Sequence, residues 1–62
     1  DILKKVMEEI DRLPQKQARV MKMMVIEDLD YKEISERTGL SQVHVRVLIS
    51  TARKTLKQKL RI

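Results

Sequence analysis

Gln42 and Arg46 stand four residues apart, and Val43 and Val47 repeat that spacing one step on. On a helix, residues four apart lie above one another on the same face. An amide and a guanidinium presented this way can each form paired hydrogen bonds with a base edge. Gln42 suits adenine N6 and N7, Arg46 suits guanine O6 and N7, and Val43 or Val47 can touch a thymine methyl. Ser50 extends the same exposed face, and His44 stands on its flank. Arg53 and Lys54, with Lys57 beyond them, suit phosphate contacts, which position a protein without reading sequence.

Other chemistries lack their parts. The chain has no cysteine, so neither a disulfide nor a thiolate-bound zinc is available. His44 is the sole histidine, and the position one helical turn on, where a second metal ligand would stand, is Leu48. Ser50 and Thr51 have no nearby base to activate them as nucleophiles. No glycine-rich phosphate loop occurs, and no His/Asp/Ser set can converge. Glu8, Glu9 and Asp11 read as a solvated face of the first helix. The expectation is a protein that is not an enzyme and takes no cofactor, metal or small-molecule ligand.

The charge layout favours the first reading. All nine acids lie in residues 1–36 with seven basic residues, a balance of −2. Residues 37–62 contain no acid and seven basic residues (Arg37, Arg46, Arg53, Lys54, Lys57, Lys59 and Arg61), which gives +7 and an overall charge of +5. A contiguous positive half is the electrostatic footprint of a phosphate binder.

The elements that must hold these residues are helical. Lys, Arg, Glu, Gln, Leu, Met and Ala dominate, and all are good helix formers. One glycine, one proline and one aromatic residue leave little to build or punctuate a sheet. Sixty-two residues make one small all-α domain, predicted over 1–62, whose core is marginal at this length. Leu3, Val6, Met7, Ile10 and Leu13 recur at three and four, predicting an amphipathic helix over 2–13. Pro14 ends it and suits the first position of a second helix, to about Ile26. Asp28 is a candidate left-handed residue after that helix. Asp30 and Glu33 have capping-box spacing and start a short third helix, Tyr31 to about Thr38. Ser41 is a strong N-cap, and the fourth and longest helix runs about twenty residues from Gln42 without Gly or Pro. Val45, Leu48 or Ile49, Ala52, Leu56 and Leu60 form its inward stripe. No apolar run approaches a membrane span of about 18 residues, and no signal peptide is visible, which points to the cytoplasm.

The third and fourth helices have the layout of a helix-turn-helix, with the motif proper at about residues 30–50. Ile34 points inward, small Ser35 permits close approach of the second helix, Gly39 makes the turn and Leu40 plugs the corner. Bulk at 35 or 39 is expected to push the helices apart. The fourth helix carries no acid, although acids normally suit a helix N-terminus. Their absence makes sense if that end faces phosphates.

Leu13-Pro14-Gln15-Lys16-Gln17, Leu29-Asp30-Tyr31-Lys32-Glu33-Ile34-Ser35-Glu36, Thr38-Gly39-Leu40-Ser41, Val45-Arg46-Val47 and Ala52-Arg53-Lys54 together resemble region 4 of bacterial sigma factors. The resemblance is closest to the extracytoplasmic-function group and covers roughly residues 2–60 without gaps. It implies a four-helix domain of the winged-helix-like class without a wing. It also implies that a long C-terminal recognition helix binds the −35 promoter element. The partners implied are promoter DNA, the β flap of the RNA polymerase core, and an anti-sigma factor. The family's region 2 has no counterpart in these residues, so the chain reads as a fragment of a longer sigma factor. Leu48 and Thr51 stand where Arg or Asn, and Arg, are common in the family, so fewer base contacts are expected here.

The resemblance also gives a use to the second helix's surplus of apolar surface. Methionine-rich surfaces adapt to partner helices. Met23, Val25 and Ile26 are the candidate seat for the flap or an anti-sigma helix, while core filling accounts equally well for Met21 and Met24. Two other readings stay open on the residues. One is the output domain of another helix-turn-helix regulator, of the response-regulator type, and the other is a helical protein-interaction module.

Overall fold

The computed structural model describes residues 2–60, so Arg61 of the basic half lies outside the described residues. Four helices follow one another: α1 (Ile2–Asp11), α2 (Gln15–Val25), α3 (Tyr31–Thr38) and α4 (Gln42–Leu60). At 1.5 Å per residue α4 is about 28 Å long. It therefore accounts for most of the 31 Å long dimension of the molecule. The other three helices all pack on it.

The core is one cluster. Ile10 and Leu13 come from α1 and its exit, Val20 and Met21 from α2, and Ile34 from α3. Val45, Ile49, Ala52 and Leu56 come from α4. Ile10, Ile34, Val45 and Ala52 are fully buried. Burying an Ile or Val side chain contributes roughly 1.5–3 kcal/mol. The three- and four-residue spacing along α4 thus joins four packing positions into a spine.

The structure corrects four expectations about α1 and its exit. The helix ends at Asp11, two residues early, because a residue before proline is driven out of the α region. Tighter bonds close the chain there, from Arg12 N–H to the Glu9 carbonyl at 3.2 Å and from Leu13 N–H to the Ile10 carbonyl at 3.1 Å. Pro14 is the N-cap of α2 rather than its first helical residue (φ −51°, ψ 146°). Its carbonyl accepts the Ala18 N–H at 2.9 Å. Leu3 does not join the packed stripe and is 62% exposed. The acidic cluster is also less idle than a solvated face. Glu9 pairs with Arg12 at 3.2 Å and Asp11 with Lys22 of α2 at 2.6 Å.

The link from α2 to α3 follows its residue types. Asp28 takes the left-handed conformation at φ 56°, and Leu29 N–H returns to the Met23 carbonyl at 3.2 Å. That reversal tucks Leu29 against the core. Asp30 then caps α3, its Oδ1 accepting the Glu33 N–H at 2.8 Å. Among the described residues no helix is long and apolar enough to cross a membrane.

Candidate nucleic-acid interface

The turn between α3 and α4 is closed by its own side chains. Gly39 stands at φ 78° and donates its N–H to the Ser35 carbonyl at 2.9 Å. The Ser35 hydroxyl donates to the Leu40 carbonyl. Thr38 Oγ1 donates to the Ile34 carbonyl at 2.7 Å and accepts the Leu40 N–H at 3.3 Å. Ser41 Oγ accepts the His44 N–H at 3.1 Å, and the Ser41 carbonyl accepts the Val45 N–H at 2.9 Å. Ser41 is therefore the N-cap its residue type predicts.

The reason for glycine at 39 is conformational, which corrects the expectation of crowding. A Cβ added there would meet nothing within 4 Å, so bulk at 39 does not separate the helices. The left-handed φ itself excludes most other residues. Ser35 likewise does more than stay small, because its hydroxyl locks the turn.

The first turns of α4 present Ser41, Gln42, Val43, His44, Arg46, Val47 and Ser50 to solvent. Val43 is 74% and Val47 55% exposed, well above what large apolar side chains usually show. At 100° per residue, Gln42, Val43, Arg46, Val47, Ser50, Arg53 and Lys54 fall within an arc of about 140°. Val45, Ile49, Ala52 and Leu56 fall in an adjoining arc of about 60° and are buried. Leu48 is half-buried and packs on the core, so it belongs to the scaffold rather than to the exposed face. Thr51 is exposed.

Two of the candidate DNA-contacting residues have partners that spacing did not reveal. The Arg46 guanidinium carbon lies 5.3 Å from the centre of the Tyr31 ring, a cation–π arrangement across α3 and α4. Arg53 Nη2 donates to Met24 Sδ on α2 at 3.5 Å. Arg37, counted with the basic half, is paired with Glu27 at 3.2 Å. Sequence reading also missed Lys16 and Arg19. They line a recess with Val20, Thr38 and Leu40 and so add positive charge beside the turn. Both lie in the acid-rich half, where a count of charges along the chain hides them.

The residues expected at a partner surface differ in exposure. Val25 and Ile26 are 43% and 59% exposed, while Met23 is half-buried against the core. Met21 is buried and Met24 half-buried, as core filling requires. A second apolar surface was not foreseen. Val6, Leu56 and Leu60 form a groove between α1 and α4, with Arg53 and Lys57 on its rim. Ile2 and Lys5 continue it past Val6 and Leu60. The sequence signal was Leu60 falling in step with the α4 stripe beyond the reach of α2 and α3.

Residues 3–56 match the family model described as Sigma-70, region 4, so the match takes in all of α2 and α3 and most of α1 and α4. No curated protein and no solved structure matches the chain.

Proposed function

The chain belongs to the sigma-70 region 4 family, and from that membership we propose that Gln42, Val43, Arg46 and Val47 read its promoter. Binding of the −35 promoter element by a sigma factor, in transcription initiation, is the function of this family and of this domain. The family is one of DNA-binding domains and not of enzymes. In the proposed complex the N-terminal half of α4 enters the major groove. Gln42 faces adenine, Arg46 faces guanine, and Val43 and Val47 meet thymine methyls. Ser41, His44, Ser50, Arg53 and Lys54 lie on the same bound surface and hold the backbone.

One observation carries this reading: an exposed face of α4 with no acid, backed by a fully buried spine. A helix N-terminus already favours anions, and an acid there would stabilise α4. Leaving it out makes sense when the neighbouring anion is phosphate. Anisotropy titration of a −35 duplex across a salt series tests the proposal. Neutralising four to six phosphates gives a slope of log K against log salt of about −4 to −5. Failure to bind any duplex at low salt sinks the reading. The intact factor tethers region 4 to polymerase and raises its effective concentration, so the isolated domain is expected to bind weakly.

Within the family we place the chain in the extracytoplasmic-function group, on the motifs from Leu13-Pro14 to Ala52-Arg53-Lys54. We place the β flap of RNA polymerase on Met23, Val25 and Ile26, and an anti-sigma factor as its competitor for that surface in the cytoplasm. Val25→Asp and Ile26→Asp test this. They are expected to abolish binding to a flap peptide and to leave duplex binding intact. If Leu60→Asp has that effect instead, the flap sits in the groove between α1 and α4.

A further inference from the structure

Arg46 is exposed on α4, and one aromatic ring lies behind it. An arginine side chain is rich in rotamers, and an exposed one spreads over many conformers. Here the guanidinium stands over the Tyr31 ring at 5.3 Å, although the two residues are fifteen positions apart in the chain. Tyr31 is the first residue of α3, directly after the Asp30 cap, and it is half-buried against the core. The Asp30 side chain is bonded to Glu33 N–H at 2.8 Å, and among the described residues no ion pair to Arg46 is present. The ring is thus the fixed contact of that guanidinium.

We propose that Tyr31 is a specificity-determining residue that acts through Arg46. Its ring holds the guanidinium plane so that the paired N–H groups point to the O6 and N7 of one guanine. A cation–π contact needs no carboxylate partner and leaves the N–H donors of the guanidinium free, and those donors make the bidentate base contact. The tyrosine never touches the base. It removes conformers in which Arg46 turns aside to the nearest phosphate, and so turns general affinity into preference for one base pair. A lysine at 46 would gain little from the ring as a reader, because a point charge has no planar fork to orient. This inference rests on the promoter-reading role of Arg46 proposed above.

The test starts with the duplex that the unchanged chain selects from a random-sequence duplex library. Base substitutions are then made at every position, and affinities are measured for Arg46→Ala, Tyr31→Leu, Tyr31→Phe and the double variant Tyr31→Leu with Arg46→Ala. Tyr31→Leu is expected to lose about fivefold of the preference for guanine at one base pair, the same pair that Arg46→Ala relaxes. Tyr31→Phe keeps that preference, and the double variant is no less selective than Arg46→Ala alone. A uniform loss of affinity in Tyr31→Leu, or an unchanged guanine preference, overturns the proposal. If Tyr31→Leu does not fold, the δ-methylene protons of Arg46 in the unchanged chain decide. A ring-current upfield shift that persists on the selected duplex supports the proposal, and its absence overturns it. Selection of no duplex at all removes the promoter reading and this inference together. Relaxation by Arg46→Ala without relaxation by Tyr31→Leu removes this inference alone.

Discussion

Arg53 on α4 and Met24 on α2 are joined by a 3.5 Å contact from Nη2 to Sδ that spans 29 positions of the chain. Thioether sulfur is a weak acceptor, so the contact aims the guanidinium without exhausting its five donors. Arg53 is thereby held at the end of the exposed face of α4, where the proposed function calls for a phosphate contact.

Arg53→Ala is expected to weaken binding to all duplexes alike and to reduce the salt slope by about 0.9. Met24→Leu removes the acceptor but keeps the apolar volume, and it should leave the slope unchanged. Anisotropy titrations over a salt series, on preferred and scrambled duplexes, measure both. A change in base preference with Arg53→Ala would make Arg53 a reader.

Ser41 serves two demands that one substitution can separate. Ser41→Ala removes the acceptor of the His44 N–H and should cost about 1 kcal/mol of stability. Ser41→Asp restores an acceptor and suits the helix dipole, so urea unfolding should show near-normal stability. The same variant sets a negative charge where phosphate approaches, and its duplex affinity should fall well below that of Ser41→Ala. Equal affinities for the two variants would take Ser41 out of the bound surface.

Gly39 separates strain from crowding. Space is open around a Cβ at 39, so the effect of substitution should follow tolerance of positive φ and not side-chain volume. Gly39→Ala is expected to destabilise by about 1–2 kcal/mol, and Gly39→Asn by less, although Asn is larger. Gly39→Val should be the most damaging, since branching at Cβ opposes that backbone most strongly. Melting temperatures of the three variants rank them. Destabilisation that rises simply with size would restore the crowding explanation.

Ile34 and Val43 are both branched aliphatic residues beside the same turn, yet they should behave oppositely. Ile34 is fully buried, and truncation to alanine costs about 2–5 kcal/mol. A domain of this size has roughly 3–9 kcal/mol of total stability, so Ile34→Ala should leave much of the chain unfolded. Val43 is 74% exposed, and Val43→Ala should leave the melt within about 0.5 kcal/mol of the parent. Its effect should appear only on duplexes that carry a thymine at the contacted position.

Much of this arrangement was legible because it depends on local chemistry. Asp30 and Ser41 were readable as caps, and Asp28 and Gly39 as left-handed residues, since each serves backbone groups within a few positions. The buried and exposed sides of α4 were readable because helical periodicity converts spacing into direction. The early end of α1 was less legible. It depends on how strongly Pro14 restricts Leu13 against an apolar pattern that continues through it. Leu3 fits the same pattern, yet it is 62% exposed and lies outside the packed cluster.

By itself the sequence determined four helices, the caps Asp30 and Ser41, the turns at Asp28 and Gly39, the spine of α4 and an acid-free exposed face beside it. Each follows from interactions within one or two turns of chain. Only the tertiary structure decided that Tyr31 stands beneath Arg46, that Met24 meets Arg53, and that Lys16 and Arg19 flank the turn. These partners lie far apart in sequence and meet because α2 and α3 both pack on α4. Periodicity tells each helix which way it faces, but the packing angle and the register between helices set which exposed residues touch. Ser41 and its helix were thus written in the chain, and the footing of its readers came from the fold.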